Sequence, residues 1–345
     1  MNKAHYIAFV GTNSVRGSKG IYSVAIDGET FEPVIAATHQ VYNTGTLAIS
    51  KKANRLYAGS EGMTFKGVAD GGVYGYAYDE NGTLTELGAA RSYGQRTCSV
   101  AVDDENTAVY GANFYKGTWV KWPLDANGAP QPTQLVVEPP VVPDAFLTAL
   151  HCIAPIGEKY VAVISLTEGA LVVYKADNGE RVTDFVFPNK PFPRYLEIVG
   201  DTIYALMQDP GDVYVFRSHL DENGTLELLQ TISVQKEKME HYGTTTIRVT
   251  PNHKLMLAAT RNANSITVFR ILPDGKLEMS DIVTLPGETP RDFGISQDGK
   301  LVVTCLQKTN EICIHTIDYE HATLLDTGHK LAIPSPAAMA ITGRI

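Results

Sequence analysis

The chain has 345 residues, a formal charge of −9, 44% hydrophobic and 19% charged residues, and 30 glycines. This composition excludes a disordered chain, and an acidic balance without any basic run argues against nucleic acid and anionic membrane surfaces as partners. Apolar runs such as 160–165 are strand-length and stop far short of a transmembrane helix.

In chain order, residues 6–12 and 20–26 read as the first two strands. The N-terminal run MNKAHYIAFVGTNS carries one lysine and is interrupted by Gly11. It reads as a strand rather than a secretory signal, which predicts a cytoplasmic location. Two kinds of turn then alternate along the chain. One kind falls at Lys51-Lys52-Ala53-Asn54, Asp103-Asp104-Glu105-Asn106, Pro155-Ile156-Gly157-Glu158, Val199-Gly200-Asp201, Pro251-Asn252-His253 and Gln297-Asp298-Gly299. The other falls at Asp79-Glu80-Asn81-Gly82, Asp125-Ala126-Asn127-Gly128, Asp177-Asn178-Gly179, Asp221-Glu222-Asn223-Gly224, Pro273-Asp274-Gly275 and the degenerate Asp318-Tyr319-Glu320-His321. Copies of each recur at intervals of about 40–55 residues, the length of a four-stranded propeller blade.

One full period lies within 241–301, with strands expected at 246–250, 254–260, 265–271 and 281–285 before the pattern restarts at Pro290-Arg291. Six internal periods leave 6–12 and 20–26 at one end and 336–341 at the other. Joined, these make a seventh blade and remove the open edges of the ring. The sequence therefore predicts an all-β, seven-bladed β-propeller of four antiparallel strands per blade, with residues 1–345 as a single domain.

The four cysteines, Cys98, Cys152, Cys305 and Cys313, have no metal-ligand spacing and are expected to be reduced. The Asn-Gly-Thr triplets at Asn81 and Asn223 lie in hairpin turns and read as turns, not glycan acceptors. No phosphate loop followed by a helix and no EF-hand spacing is present, so neither a metal nor another cofactor is expected.

In a propeller the first strand of each blade starts, and the second ends, at the same mouth of the central channel. First-strand starts are Ser99, His151, Arg194, Thr246 and Arg291; second-strand ends are Glu61, Asn113, Ser165, Gln208, Arg261 and Gln307. These polar residues punctuate apolar strands and form the predicted site.

Several stretches carry a resemblance: Gly20-Ile21-Tyr22, Leu47-Ala48-Ile49-Ser50 with Arg55-Leu56-Tyr57-Ala58 and Glu61, the run 262–269, Thr289-Pro290-Arg291-Asp292-Phe293, and Pro334-Ser335-Pro336. Together they resemble the bacterial lactonase family, which holds propeller-type 6-phosphogluconolactonases and is similar to the fungal carboxymuconate lactonizing enzymes. The likeness spans the chain, strongest in 241–301 and weaker from Gly128 to Val199. It implies a seven-bladed propeller acting on a small anionic lactone, with family catalytic positions falling on His151, Arg194, Arg261 and, in place of a glutamate, Gln208. Other departures are Ser99, where a histidine is common, and Thr246 with Arg248, which replace a Glu-x-His pattern.

Opening a lactone requires an activated water, stabilisation of an oxyanion and a grip on the substrate's anionic group. Arginine suits the last two because its planar fork binds oxyanions through paired hydrogen bonds. The expected roles are His151 as base, Arg261 polarising the carbonyl, Arg194 with Arg291 gripping the anion, and Gln208 orienting. Glu61, Asn113 and Gln307 are expected to contact substrate. Side-chain alternation should turn Cys152 away from His151, which argues against a Cys-His nucleophile. Three alternatives remain: a small-anion binding or sensing propeller without turnover, a lactonizing cycloisomerase, and a protein-interaction platform.

Overall fold

The computed structural model describes residues 5–50, 52–133, 135–138, 148–189 and 191–345. Lys51, the first residue of one predicted turn, lies outside the described residues. Among them are twenty-eight strands, numbered β1 to β28 in chain order, in seven sheets of four. Each sheet is an antiparallel blade, and the seven form the predicted propeller.

Six blades use four consecutive strands. The seventh runs in the order β28 (Pro336–Ile341), β1 (His5–Thr12), β2 (Gly20–Asp27) and β3 (Pro33–Gln40). The C-terminal strand is innermost and pairs with β1 from Ala8↔Ile341 to Thr12↔Pro336. Closure therefore uses both ends of the chain, as the leftover strand segments require.

The burial pattern explains the sequence pattern. The second strands β21 (Leu255–Thr260) and β25 (Leu301–Leu306) are buried at every residue because both faces pack on neighbouring blades. They consequently read as unbroken apolar runs. Outer strands such as β27 (Thr323–Ala332) alternate mostly between half-buried and exposed residues. The apolar core lies between blades: Tyr204, Leu206, Val213 and Val215 of one blade pack against Ile247, Met256 and Phe269 of the next.

The outer turns hold for a local reason. In the turn after Tyr78, the Asp79 carboxylate accepts from the backbone N–H groups of Asn81 at 2.9 Å and Thr83 at 2.8 Å. Gly82 there has φ +77°, a conformation that side chains disfavour. Asp125 repeats the arrangement with Asn127 and Ala129.

The innermost strands are β4 (Thr46–Ile49), β8 (Thr97–Val102), β12 (Leu150–Ile156), β16 (Pro193–Val199), β20 (Thr244–Val249), β24 (Pro290–Ile295) and β28. In all but β4, the pairing with the neighbouring strand slips near the channel mouth. The slips lie at Thr97/Ser99, Leu150/Cys152, Pro193/Tyr195, Thr244/Ile247 and Pro290/Asp292, and at Gly11/Thr12 opposite β28. Each slip is a β-bulge, which leaves one residue unpaired and re-aims its side chain.

Candidate active site

The slips leave over Cys98, His151, Arg194, Arg291 and Ala337 and, in β20, set Thr245 and Thr246 against Ala259 alone; both threonines and the other five line one cavity at the channel mouth. The blade of β4 has no slip and contributes Gly45, with Glu61 reaching over it from beyond the end of β5 (Arg55–Gly59). In blade order the ring reads Ala337, Glu61, Cys98, His151, Arg194, Thr245, Arg291. The cationic and imidazole groups form an arc, and the carboxylate sits opposite, flanked by two small residues.

Arg194 is only 6% exposed. Its Nε donates to the Thr245 carbonyl at 3.0 Å and its Nη1 to Gln208 Oε1 at 2.7 Å. Burial, then Arg291 and Arg261, push its pKa well below the usual arginine range. No carboxylate among the described residues forms an ion pair with Arg194, Arg261 or Arg291. Gln208 explains part of this: its neutral amide holds Arg194 in place without cancelling the charge, whereas a glutamate there would neutralise it.

His151 meets the edge of Phe114 at a centroid distance of 6.2 Å, and its Nδ1 is buried without a hydrogen-bond partner. Burial, then Arg194 and Arg291, lower its pKa well below the ordinary histidine value. The imidazole is thus neutral at pH 7 and a weaker base than an ordinary histidine, which stands against the base role expected of it. Thr246 Oγ1 is a second buried, unpartnered polar atom on the cavity wall. Such atoms are rare unless a ligand or water satisfies them.

Beneath this ring lies a layer of different character. Arg248 donates from Nε to the Phe293 carbonyl at 2.6 Å, pairs with Asp292 at 3.2 Å and lies over the Tyr195 ring at 5.7 Å. Asp292 also accepts from the Met339 backbone N–H at 2.9 Å. This arginine is neutralised inside the fold. Below it the channel continues into a larger cavity lined largely by Leu47, Ile49, Val102, Ile153, Ile295 and Ile341.

Other expected residues fall elsewhere. Arg261 stands outside the cavity on the rim, with Nε donating to the Gly243 carbonyl at 2.9 Å and its pKa lowered by burial and then by Arg291. Asn113 is fully buried within its blade. Its side chain accepts from Thr97 at 2.9 Å and donates to Ser92 and Thr118, leaving no atom for a ligand. The cause is register: Asn113 pairs with Thr97 inside the ladder, whereas Gln208 lies one residue beyond Met207, the end of the corresponding ladder. Phe114 therefore holds the place equivalent to Gln208. Ser99 lines the same cavity one residue deeper than Cys98, which is the ring residue. Gln307 is on the rim, outside the cavity, with a buried unpartnered Nε2. Cys152 is buried in an apolar cluster, so no Cys-His nucleophile forms.

Sequence reasoning missed Gly45, Thr245, Cys98 and Arg96. Arg96 Nη2 lies 3.8 Å from Glu61 Oε2, and its guanidinium stacks on Phe114 at 4.9 Å. A glycine in Thr44-Gly45-Thr46, where other blades place a side chain, was the available signal. Among the described residues no cluster of three or more His, Cys, Asp or Glu side chains could hold a metal ion.

Fold and site together define a seven-bladed propeller of the lactone-hydrolase class. A family model described as "Lactonase, 7-bladed beta-propeller" matches residues 7–341, and the chain belongs to that family. It is 26% identical over 354 residues to the 6-phosphogluconolactonase of Bacillus subtilis, covering 97% of both proteins. It is 27% identical to an uncharacterized protein of Lactococcus lactis subsp. lactis, covering 91% of this chain and 93% of that protein. A periplasmic gluconolactonase of Pseudomonas aeruginosa superposes with a TM-score of 0.88 at 20% identity over 98% of this chain and 99% of its own, a likeness of fold.

Proposed function

We propose that the protein hydrolyses a small anionic sugar lactone of the 6-phosphogluconolactone type, yielding the open-chain acid. The observation that carries this reading is the pair of cations, Arg194 and Arg291, facing one cavity without an internal carboxylate partner. Keeping cations out of water without counter-charge is costly, and a ligand anion offsets that cost. The full-length likeness to a relative named 6-phosphogluconolactonase supports the substrate class.

The cavity that the ring encloses has a volume of only about 50 Å³. That admits a few waters or one small polar group, so the sugar ring lies in the mouth above it. In this arrangement the lactone carbonyl oxygen points at Arg194 and Arg291, which stabilise the charge that grows on it as water adds. Arg261 on the rim adds attraction for a phosphate or carboxylate on the remainder of the substrate. Neutral His151 orients substrate by hydrogen bonding, and Gln208 fixes Arg194. The Phe114 and Tyr115 rings, 5.4 Å apart between centroids, wall one side of the mouth.

A cytoplasmic location belongs to the same reading. Its support is that all four cysteines are free, as in a reducing compartment. Among the described residues no helix is long and apolar enough to cross a membrane.

The test is to follow opening of 6-phosphogluconolactone with purified protein. Acceleration over buffer is expected, and its absence overturns the reading. Gln208 favours one competitor, a propeller that binds the anion without turnover. A rise in melting temperature with 6-phosphogluconate but no catalysis would decide for it.

A further inference from the structure

Gly45 leaves a gap in the ring of side chains, and the gap is filled. A Cβ on Gly45 would lie 2.4 Å from Glu61 Cδ and 2.5 Å from its Oε1, so the carboxylate occupies the space a ring side chain takes in the other blades. Glu61 is anchored by its backbone N–H, which donates to the Asn43 carbonyl at 2.8 Å, and its side chain is 9% exposed. Arg96 at 3.8 Å is too distant for a direct hydrogen bond, and no donor among the described residues hydrogen-bonds either carboxylate oxygen. The carboxylate is thus held in place while its lone pairs stay available to the cavity.

The other candidate bases are compromised. His151 is weakened by burial and by two arginines, Gln208 is an amide whose oxygen is bonded to Arg194, and Asp292 is occupied by Arg248 and the Met339 N–H. In a ring of seven blades, the blade of Glu61 lies opposite those of Arg194 and Thr245. A lactone held at Arg194 therefore lies between that arginine and the Glu61 carboxylate.

We propose that Glu61, held over Gly45, is the general base of this enzyme and Arg96 its positioning residue. This rests on the lactone-hydrolase reading above. The Glu61 carboxylate takes a proton from water as the water oxygen bonds to the carbonyl carbon. The C=O electron pair moves onto oxygen beside the arginines. Collapse restores the C=O bond and breaks the ring C–O bond, and the departing ring oxygen takes the proton back from Glu61. One water is consumed, the hydroxy acid leaves, and its carboxyl proton passes to solvent.

The test compares wild type, Glu61→Gln, Glu61→Ala and Gly45→Ala on 6-phosphogluconolactone, with thermal shift by 6-phosphogluconate as a check of fold and binding. Glu61→Gln should keep the thermal shift and lose roughly 10²–10⁴-fold in kcat, the usual worth of a general base. Formate should restore part of the rate to Glu61→Ala, which leaves room for it, and none to Glu61→Gln. Gly45→Ala keeps the carboxylate but displaces it, and should also lower kcat with little change in KM. An active wild type with Glu61→Gln within about threefold of it in kcat overturns the inference and spares the lactonase reading. A wild type inactive on the lactone overturns both.

Discussion

Two levels of the same channel bury arginines in opposite ways. In the lower layer Arg248 has Asp292 at 3.2 Å, a carbonyl at 2.6 Å and the Tyr195 ring, and its pKa is raised above the usual arginine value. In the upper ring Arg194 has a carbonyl and a neutral amide, and its pKa is pushed down by burial and then by further arginines. Both arginines sit on innermost strands, Arg194 near the start of β16 and Arg248 near the end of β20, yet one is completed by the fold and the other is not. The lower level is built for stability. The upper level holds charge that the folded chain does not use, as a binding site must.

The contrast can be broken with paired substitutions. Arg248→Met should be the most damaging to stability, lowering the free energy of unfolding by about 3 kcal/mol because Asp292 is left without its cation. Arg194→Met should do the opposite and raise stability by about 1 kcal/mol, since a cation without counter-charge is removed from the interior. Urea midpoints measure both, and a comparable loss in the two variants would erase the distinction. Gln208→Glu should shift the upper ring toward the lower one by pairing Arg194 internally. Affinity for 6-phosphogluconate should then weaken about tenfold, or about 1.4 kcal/mol, as read by calorimetry.

A smaller effect concerns pH. Burial lowers the pKa values of both His151 and His315. Each is neutral in the folded chain, while the unfolded chain takes up a proton below about pH 6.5. Their contribution to stability is therefore complete above about pH 6.5 and is lost as pH falls from there through the folded values. Between pH 7.5 and 5.5 the loss should be about 1 kcal/mol for His151 and smaller for His315. His315→Gln should flatten part of that slope in urea titrations.

Much of the fold was legible because its punctuation is chemical. Asp79 and Asp125 cap their own turns, Gly82 and Gly128 have positive φ, and the leftover strands at the two ends had one way to close a ring. The site was legible only in part. His151, Arg194, Arg291 and Glu61 do meet at one cavity. Asn113 and Ser99 were each misplaced by one residue, because a bulge inserts a single residue that alternation cannot reveal and a one-residue shift turns a side chain to the other face. Arg96 was missed because it acts from a loop through Glu61, without a motif of its own. The neutrality of His151 comes first from burial and then from arginines of other blades, neither of which a local motif records.

The most direct measurement of the central claim is hydrolysis of 6-phosphogluconolactone by wild-type and Arg194→Met protein in parallel, with spontaneous opening subtracted. The account predicts acceleration by wild type and a loss of about 10²–10³-fold in kcat/KM for the variant, the scale on which oxyanion-stabilising donors act. An active wild type matched by Arg194→Met would contradict it.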